Sequence, residues 1–276
     1  MAPAETTGAT GATAPRAARL KVAVAQHTGL VGERERNLAA LADAARRARA
    51  RGAALLVTPE LFVSGYDPEA VADDDGAAHR REIAAIARSH RLAVVASTVD
   101  RADGGRFISA SLFDSGGAEL TRYHKQHLFG AAEKAVFTPG RRPPAVVPLH
   151  GVNIALGVCF DIEFPEFTRA VARSGAELLC VPTAVPLRPS HGAEANPFDT
   201  RLIPGMVVPT RALESQLYIA YANHTGPRFA GLSCLSDPYG RRVAAGESGT
   251  GLVVGDVDLR TLGEARRATD YLTSSD

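Results

Sequence analysis

Three side chains of different chemistry follow strand-like runs in chain order: Glu60 in LLVTPELFVSGY, Lys125 in YHKQHLFG and Cys159 in NIALGVCFDIEFPE. A thiol at the end of a strand is presented at the rim of a sheet, where ligands enter α/β proteins. It can attack a carbonyl or nitrile carbon if a base takes its proton and cations or backbone N–H groups hold the charge that develops. A carboxylate buried after an apolar strand has its pKa raised and becomes a usable general base near neutrality. A lysine beside the thiol lowers the thiol pKa and stabilises an oxyanion. Each residue alone also has an ordinary reading. Free cysteine is among the most buried residue types, a lone lysine is usually a solvated charge, and a glutamate can simply complement a helix dipole. Cys180 and Cys234, flanked by apolar strand residues, suit the structural role better. A carboxylate, an amine and a thiol delivered in chain order by three strand ends form a constellation that these ordinary readings, taken singly, do not account for.

Other chemistries find less support. His124 and His127 stand three apart and could serve Cys159 as a base or join it as metal ligands, but no further ligands appear at a recognisable spacing, so no metal is expected. There is no P-loop, GESGTG (246–251) has the wrong glycine order for a dinucleotide turn and reads as a hairpin, and no GxSxG elbow is present. Thirty-one Lys plus Arg against 30 Asp plus Glu, in no long block, argue against nucleic acid as a partner. No apolar run is long enough to span a bilayer, so no membrane association is expected. Three cysteines without CxxC spacing argue against a disulfide framework or zinc ribbon, and the expected compartment is the cytoplasm.

The elements that must position these groups follow from periodicity. Residues 20–26 (LKVAVAQ) alternate as a strand, and 34–51 place Leu38, Leu41, Ala42 and Ala45 on one helical face before Gly52. Strand 53–58, helix 80–90 and strand 92–98 repeat the order, which signals an α/β architecture. Beyond Asp100, strands are expected at 107–113, 120–123, 145–149 and 152–158, in a meander or hairpins. Helix 166–174, strand 177–181, helix 208–214 and strands at 216–223, 231–236 and 251–257 complete the reading. The loop 185–206 carries four prolines and no clear periodicity, a length that is often functional. Residues 1–18 read as a disordered extension without signal-peptide pattern, and 19–276 as a single domain.

TPELF around Glu60, YHKQHLFG around Lys125 and GVCFDIEFPE around Cys159 together resemble the nitrilase superfamily of carbon–nitrogen hydrolases, over about 20–272. The resemblance implies a four-layer α-β-β-α sandwich and a Glu-Lys-Cys triad. Glu60 would take the thiol proton, and Lys125 with the backbone N–H of Phe160 would hold the oxyanion. EKAVFTPG matches the segment bearing a second glutamate, so Glu133 would help to position Lys125 and the substrate. VPTA, VVPTRALESQLYIAYAN and SDPYGRRVAAG resemble the amidase branch, although the segment before TRALES is longer than that branch leads one to expect and Ser215 stands where its pattern usually has Asn. The expected reaction is hydrolysis of a small aliphatic or amino-acid-derived amide, with no cofactor. A nitrilase, an N-carbamoyl amide hydrolase or a biosynthetic acyl transferase would use the same residues, and a noncatalytic binding module on this fold is the alternative of another class. Tyr66, Phe137, Thr183 and Phe198 are candidate substrate contacts. A homodimer or higher homo-oligomer is expected, with an interface reduced by a chain that stops at YLTSSD.

Overall fold

The structure, a computed structural model, describes residues 18–188 and 197–273. The expected disordered extension therefore lies outside the described residues except for Ala18, whose carbonyl accepts a hydrogen bond from Leu259 N at 3.0 Å. Residues 189–196 of the proline-rich loop also lie outside them.

The first of two six-stranded sheets contains β1 (Arg19–Gln26), β2 (Leu55–Val57), β3 (Ala93–Ala102), β4 (Gly105–Phe113) and β5 (Glu119–His124). The second contains β6 (Val147–Leu149), β7 (Val152–Leu156), β8 (Leu178–Thr183), β9 (Tyr218–Asn223), β10 (Cys234–Ser236) and β11 (Arg242–Ala245). The last strand, β12 (Gly251–Asp258), returns to the first sheet beside β1. In each sheet three neighbours are parallel, β1-β2-β3 and β7-β8-β9, and the flanking strands are antiparallel. The two sheets thus share one pattern of parallel and antiparallel pairing without a visible sequence repeat, although the strand beside β1 comes from the end of the chain and that beside β7 directly precedes it.

Strand alternation decides the layers. Leu20, Val22 and Val24 join Leu55, Val57, Ile154 and Leu156 in the large core cluster to which both sheets contribute. Ala23 and Ala25 point the other way, into a second cluster with Leu41, Ala45 and Ile83 from α1 (Arg34–Ala50) and α3 (Gly76–His90). On the second sheet, α5 (Pro165–Arg173) and α6 (Val208–Ser215) bury Phe167, Val171 and Ala212. The result is the α-β-β-α sandwich.

Several local expectations are corrected. Helix α3 begins four residues before the expected start, because the Asp75 side chain caps it by accepting from Ala78 N at 2.9 Å. Three short helices were not anticipated: α2 (Pro68–Val71), α4 (Gly130–Val136) and α7 (Leu259–Ala268). The GESGTG segment is not a hairpin, since the strands it joins lie in different sheets; Gln26 Nε2 secures this crossover by donating to the carbonyls of Glu247 and Gly249, at 2.5 and 2.6 Å. The aperiodic loop contains a π-helical turn, Ile203–Val207, that runs directly into α6. Strand β7 ends at Leu156, short of the expected 158, so that the chain can turn into Cys159.

Candidate active site

Glu60, Lys125 and Cys159 follow the C-terminal ends of β2, β5 and β7, from both sheets. Glu60 is tied across the sandwich by its backbone: its N–H donates to Thr183 O at 3.2 Å, and its carbonyl accepts from His224 Nε2 at 2.6 Å. The His224 tautomer follows from these partners, because the carbonyl can only accept and Nδ1 receives the Gly29 N–H at 3.2 Å. Burial lowers the pKa of this imidazole to about 4, so it is neutral. Cys159 opens a 3-10 turn, Cys159–Glu163, with φ +47°, a left-handed conformation that strains any residue with a Cβ.

The Lys125 ammonium is completely buried and donates to Glu60 Oε1 and to Glu133 Oε1, each at 2.8 Å. Glu133, on the first turn of α4, also accepts from the Tyr66 hydroxyl at 2.6 Å and, through Oε2, from Phe129 N at 2.7 Å. Burial by itself would lower the lysine pKa, but Glu60, Cys159 and Glu133 raise it overall, so the ammonium persists. Burial raises Glu60 to about 7 despite Lys125, and Glu133 pushes in the same direction. The Cys159 thiol is pushed well above its ordinary value by burial and then by Glu60, although Lys125 and the Ala184 N–H oppose this. At rest the cysteine is therefore a thiol, which would have to give up its proton in order to attack a carbonyl carbon. Glu60 Oε2 is buried and without a hydrogen-bond partner among the described residues, which leaves a lone pair to take that proton. The Phe160 N–H, next in the turn, likewise has no acceptor among them.

Asp161 joins the nucleophile turn to the lysine loop. Its carboxylate accepts from Val158 N at 3.0 Å, Tyr123 OH at 2.9 Å, His127 N at 2.9 Å and His127 Nδ1 at 2.8 Å. His127 is thus engaged with Asp161 through both its backbone N–H and Nδ1, and stacks on Phe164. His124 instead donates from Nε2 to Asp100 at 2.8 Å and stacks on Phe107. Among the described residues no group of His, Cys, Asp and Glu could hold a metal ion.

The sequence between residues 21 and 267 matches the carbon–nitrogen hydrolase family model. This chain belongs to that family. Among solved structures, this carbon–nitrogen hydrolase is similar to the amidase from Nesterenkonia sp. AN1, at TM-score 0.80 and 37% identity over 92% of this chain and 96% of that one. That structure, of a variant, shows covalent addition of the acetamide moiety of fluoroacetamide at the active site cysteine. An (R)-stereoselective amidase from a Pseudomonas species is 31% identical over 92% of this chain and 90% of its own length. The 2-oxoglutaramate amidase of Bacillus subtilis is 30% identical over 78% and 82%. The hydrolase accordingly falls in the amidase-like branch, with an active-site cysteine.

A small cavity of about 30 Å³ adjoins the cysteine, lined by Cys159, Phe129, Glu163, Arg188, Phe198 and Thr200 with several apolar neighbours. Of the four candidate substrate contacts only Phe198 lies on this wall. Tyr66 supports Glu133, Thr183 offers its carbonyl to Glu60 N and its hydroxyl to Val181 O, and Phe137 is packed into the core. For Tyr66, Thr183 and Phe137 the direction of the side chain, which the sequence does not show, places them away from this wall. His224 and Asp161, which position the site, and Glu163, which lines the cavity, were not singled out from the sequence. Asp161 and Glu163 stand inside the cysteine motif, and His224 directly follows AYAN, but nothing in their spacing marks a role.

Proposed function

We propose that this hydrolase converts a small aliphatic or amino-acid-derived amide to the carboxylic acid and ammonia through a thioester on Cys159. The observation that carries the reading is the buried contact of Lys125 with Glu60 and Glu133, beside a cysteine held at the mouth of a strand end. Glu60 Oε2 takes the thiol proton while sulfur bonds to the amide carbon. The carbonyl oxygen becomes an oxyanion, held by the Phe160 N–H and by the one ammonium proton of Lys125 that neither glutamate uses. Glu60 returns the proton to nitrogen, the C–N bond breaks, and ammonia leaves. Water then gives a proton to Glu60 as its oxygen bonds to the thioester carbon, and breaking the C–S bond returns that proton to sulfur. A carboxyl near 7 suits a group that must accept and donate in turn.

The protein is also proposed to be a cytoplasmic homodimer or higher homo-oligomer. Three free, buried cysteines support a reducing compartment, and among the described residues no helix is long and apolar enough to cross a membrane. Self-association is supported by exposed Leu202, Met206, Leu213 and Tyr239 around the π-helical turn, α6 and the β10–β11 turn. The test of the activity is ammonia release from a panel of amides, nitriles and N-carbamoyl compounds, by the native protein and by Cys159→Ala. Release from amides that Cys159→Ala cannot reproduce is expected. Silence across the panel, with no iodoacetamide adduct at Cys159, would refute the reading.

A further inference from the structure

The 3-10 turn that presents Cys159 ends at Glu163, and both residues line the same cavity. The turn is fixed from behind by Arg211, whose guanidinium donates to the carbonyls of Ile162 and Glu163, at 3.2 and 3.0 Å, and to Glu214 at 2.8 Å. Arg211 is therefore committed to two backbone carbonyls and another carboxylate. The Glu163 carboxylate itself has no hydrogen bond or ion pair among the described residues, yet it is half-buried, and burial raises its pKa while Arg188, Lys125 and Arg211 act against that rise. Its charge is thus sensed by the catalytic lysine from the wall beside the thiol. The rest of that wall is largely apolar and aromatic, with Phe129, Val185, Phe198 and Ile203. A partly desolvated carboxylate without a partner, next to aromatic rings, is complementary to an ammonium group.

From this geometry, and resting on the amide-hydrolase reading, we propose that Glu163 selects amides whose acyl chain carries a protonated amine. Arg188 is the competing charge. It is exposed, with its guanidinium 5.8 Å from the Phe129 ring centroid, and its long side chain can stay in solvent, whereas Glu163 is fixed on the nucleophile's own turn. The cavity of about 30 Å³ admits only a short acyl chain without rearrangement, so the amine lies within a few bonds of the carbonyl.

Three amides of similar acyl length test this at pH 7.5: β-alaninamide (cationic), butyramide (neutral) and succinamate (anionic). With the native protein, kcat/KM for β-alaninamide should exceed that for butyramide by about 10- to 100-fold, the range expected of one charge-assisted hydrogen bond, and succinamate should be poorest. Glu163→Gln should bring the β-alaninamide to butyramide ratio close to one. Equal or better turnover of butyramide or succinamate by the native protein overturns the assignment while leaving the amidase intact, and this comparison needs no folded variant. An unchanged ratio in folded Glu163→Gln overturns it as well. Absence of ammonia from every amide would instead refute the parent reading, and this inference with it.

Discussion

Replacing Glu133 by Gln tests the electrostatic account of the site most directly. Three donors converge on this carboxylate: Lys125 Nζ at 2.8 Å, Tyr66 OH at 2.6 Å and Phe129 N at 2.7 Å. An amide has one acceptor oxygen, so if that oxygen stays with Lys125 and Tyr66 its NH2 must face the Phe129 N–H. One buried donor left unpaired costs about 1–3 kcal/mol. The variant also removes one of two counter-charges from a fully buried ammonium, which lets Lys125 leave the position from which it would hold the oxyanion. Complete loss of such a donor costs about 10²–10³ in rate; a displaced one is expected to lower kcat/KM by about 10²-fold. The pH profile supplies a sign that disruption alone would not produce. Glu133 helps to raise Glu60 to about 7, so its neutralisation should move the acid limb of kcat/KM to lower pH. Ammonia release measured from pH 5 to 9 on one amide gives both quantities. A rate within threefold of native, or an acid limb that moves upward, would refute the reasoning.

Glu60→Gln should be inactive, and its stability relative to the native protein should improve as pH rises from 4.5 to 8. The folded pKa of about 7 lies above the ordinary 4.5, so the folded state binds more protons between those values and loses stability as pH rises through the window. Gln does not titrate and so escapes this loss; thermal melts at pH 4.5 and pH 8 should show the variant's melting temperature gaining on that of the native protein at the higher pH, and a variant that loses ground between the two would contradict the assignment. At Cys159, φ is +47°, so Cys159→Gly should outlast Cys159→Ala in urea by about 1 kcal/mol. Equal midpoints would show that the turn carries no such strain.

How much of this was legible follows from what each feature depends on. The strands and amphipathic helices that build the layers were readable because alternation and helical spacing are local, as Leu20, Val22 and Val24 against Ala23 and Ala25 illustrate. Sheet membership was not, which is why the GESGTG turn was taken for a hairpin; pairing partners are remote in sequence. Helix α7 buries Leu259, Leu262 and Ala265 on a face short enough to be lost among its charges. In the site, motif order brought Glu60, Lys125, Glu133 and Cys159 forward. Side-chain direction was hidden, so Tyr66, Phe137 and Thr183 were placed against substrate when they support or pack, and the four bonds into Asp161 could not be anticipated from a lone aspartate two residues after the thiol.

The two backbone ties on Glu60 separate chemistry from recognition. Glu60, the proposed base, follows a strand of the first sheet, but its N–H and carbonyl are both bonded to residues of or just beyond the second, at Thr183 and His224. Its backbone is thus held to the second sheet by one peptide hydrogen bond and one imidazole, the sheet whose strand end leads into the thiol. The outer wall, with Arg188, Phe198, Thr200 and Ile203, comes from the stretch between β8 and α6 and carries no member of the triad. That wall can be rebuilt for a different acyl group without detuning the proton transfer behind it; Glu163 is the exception, because a change there pulls on the nucleophile's own turn.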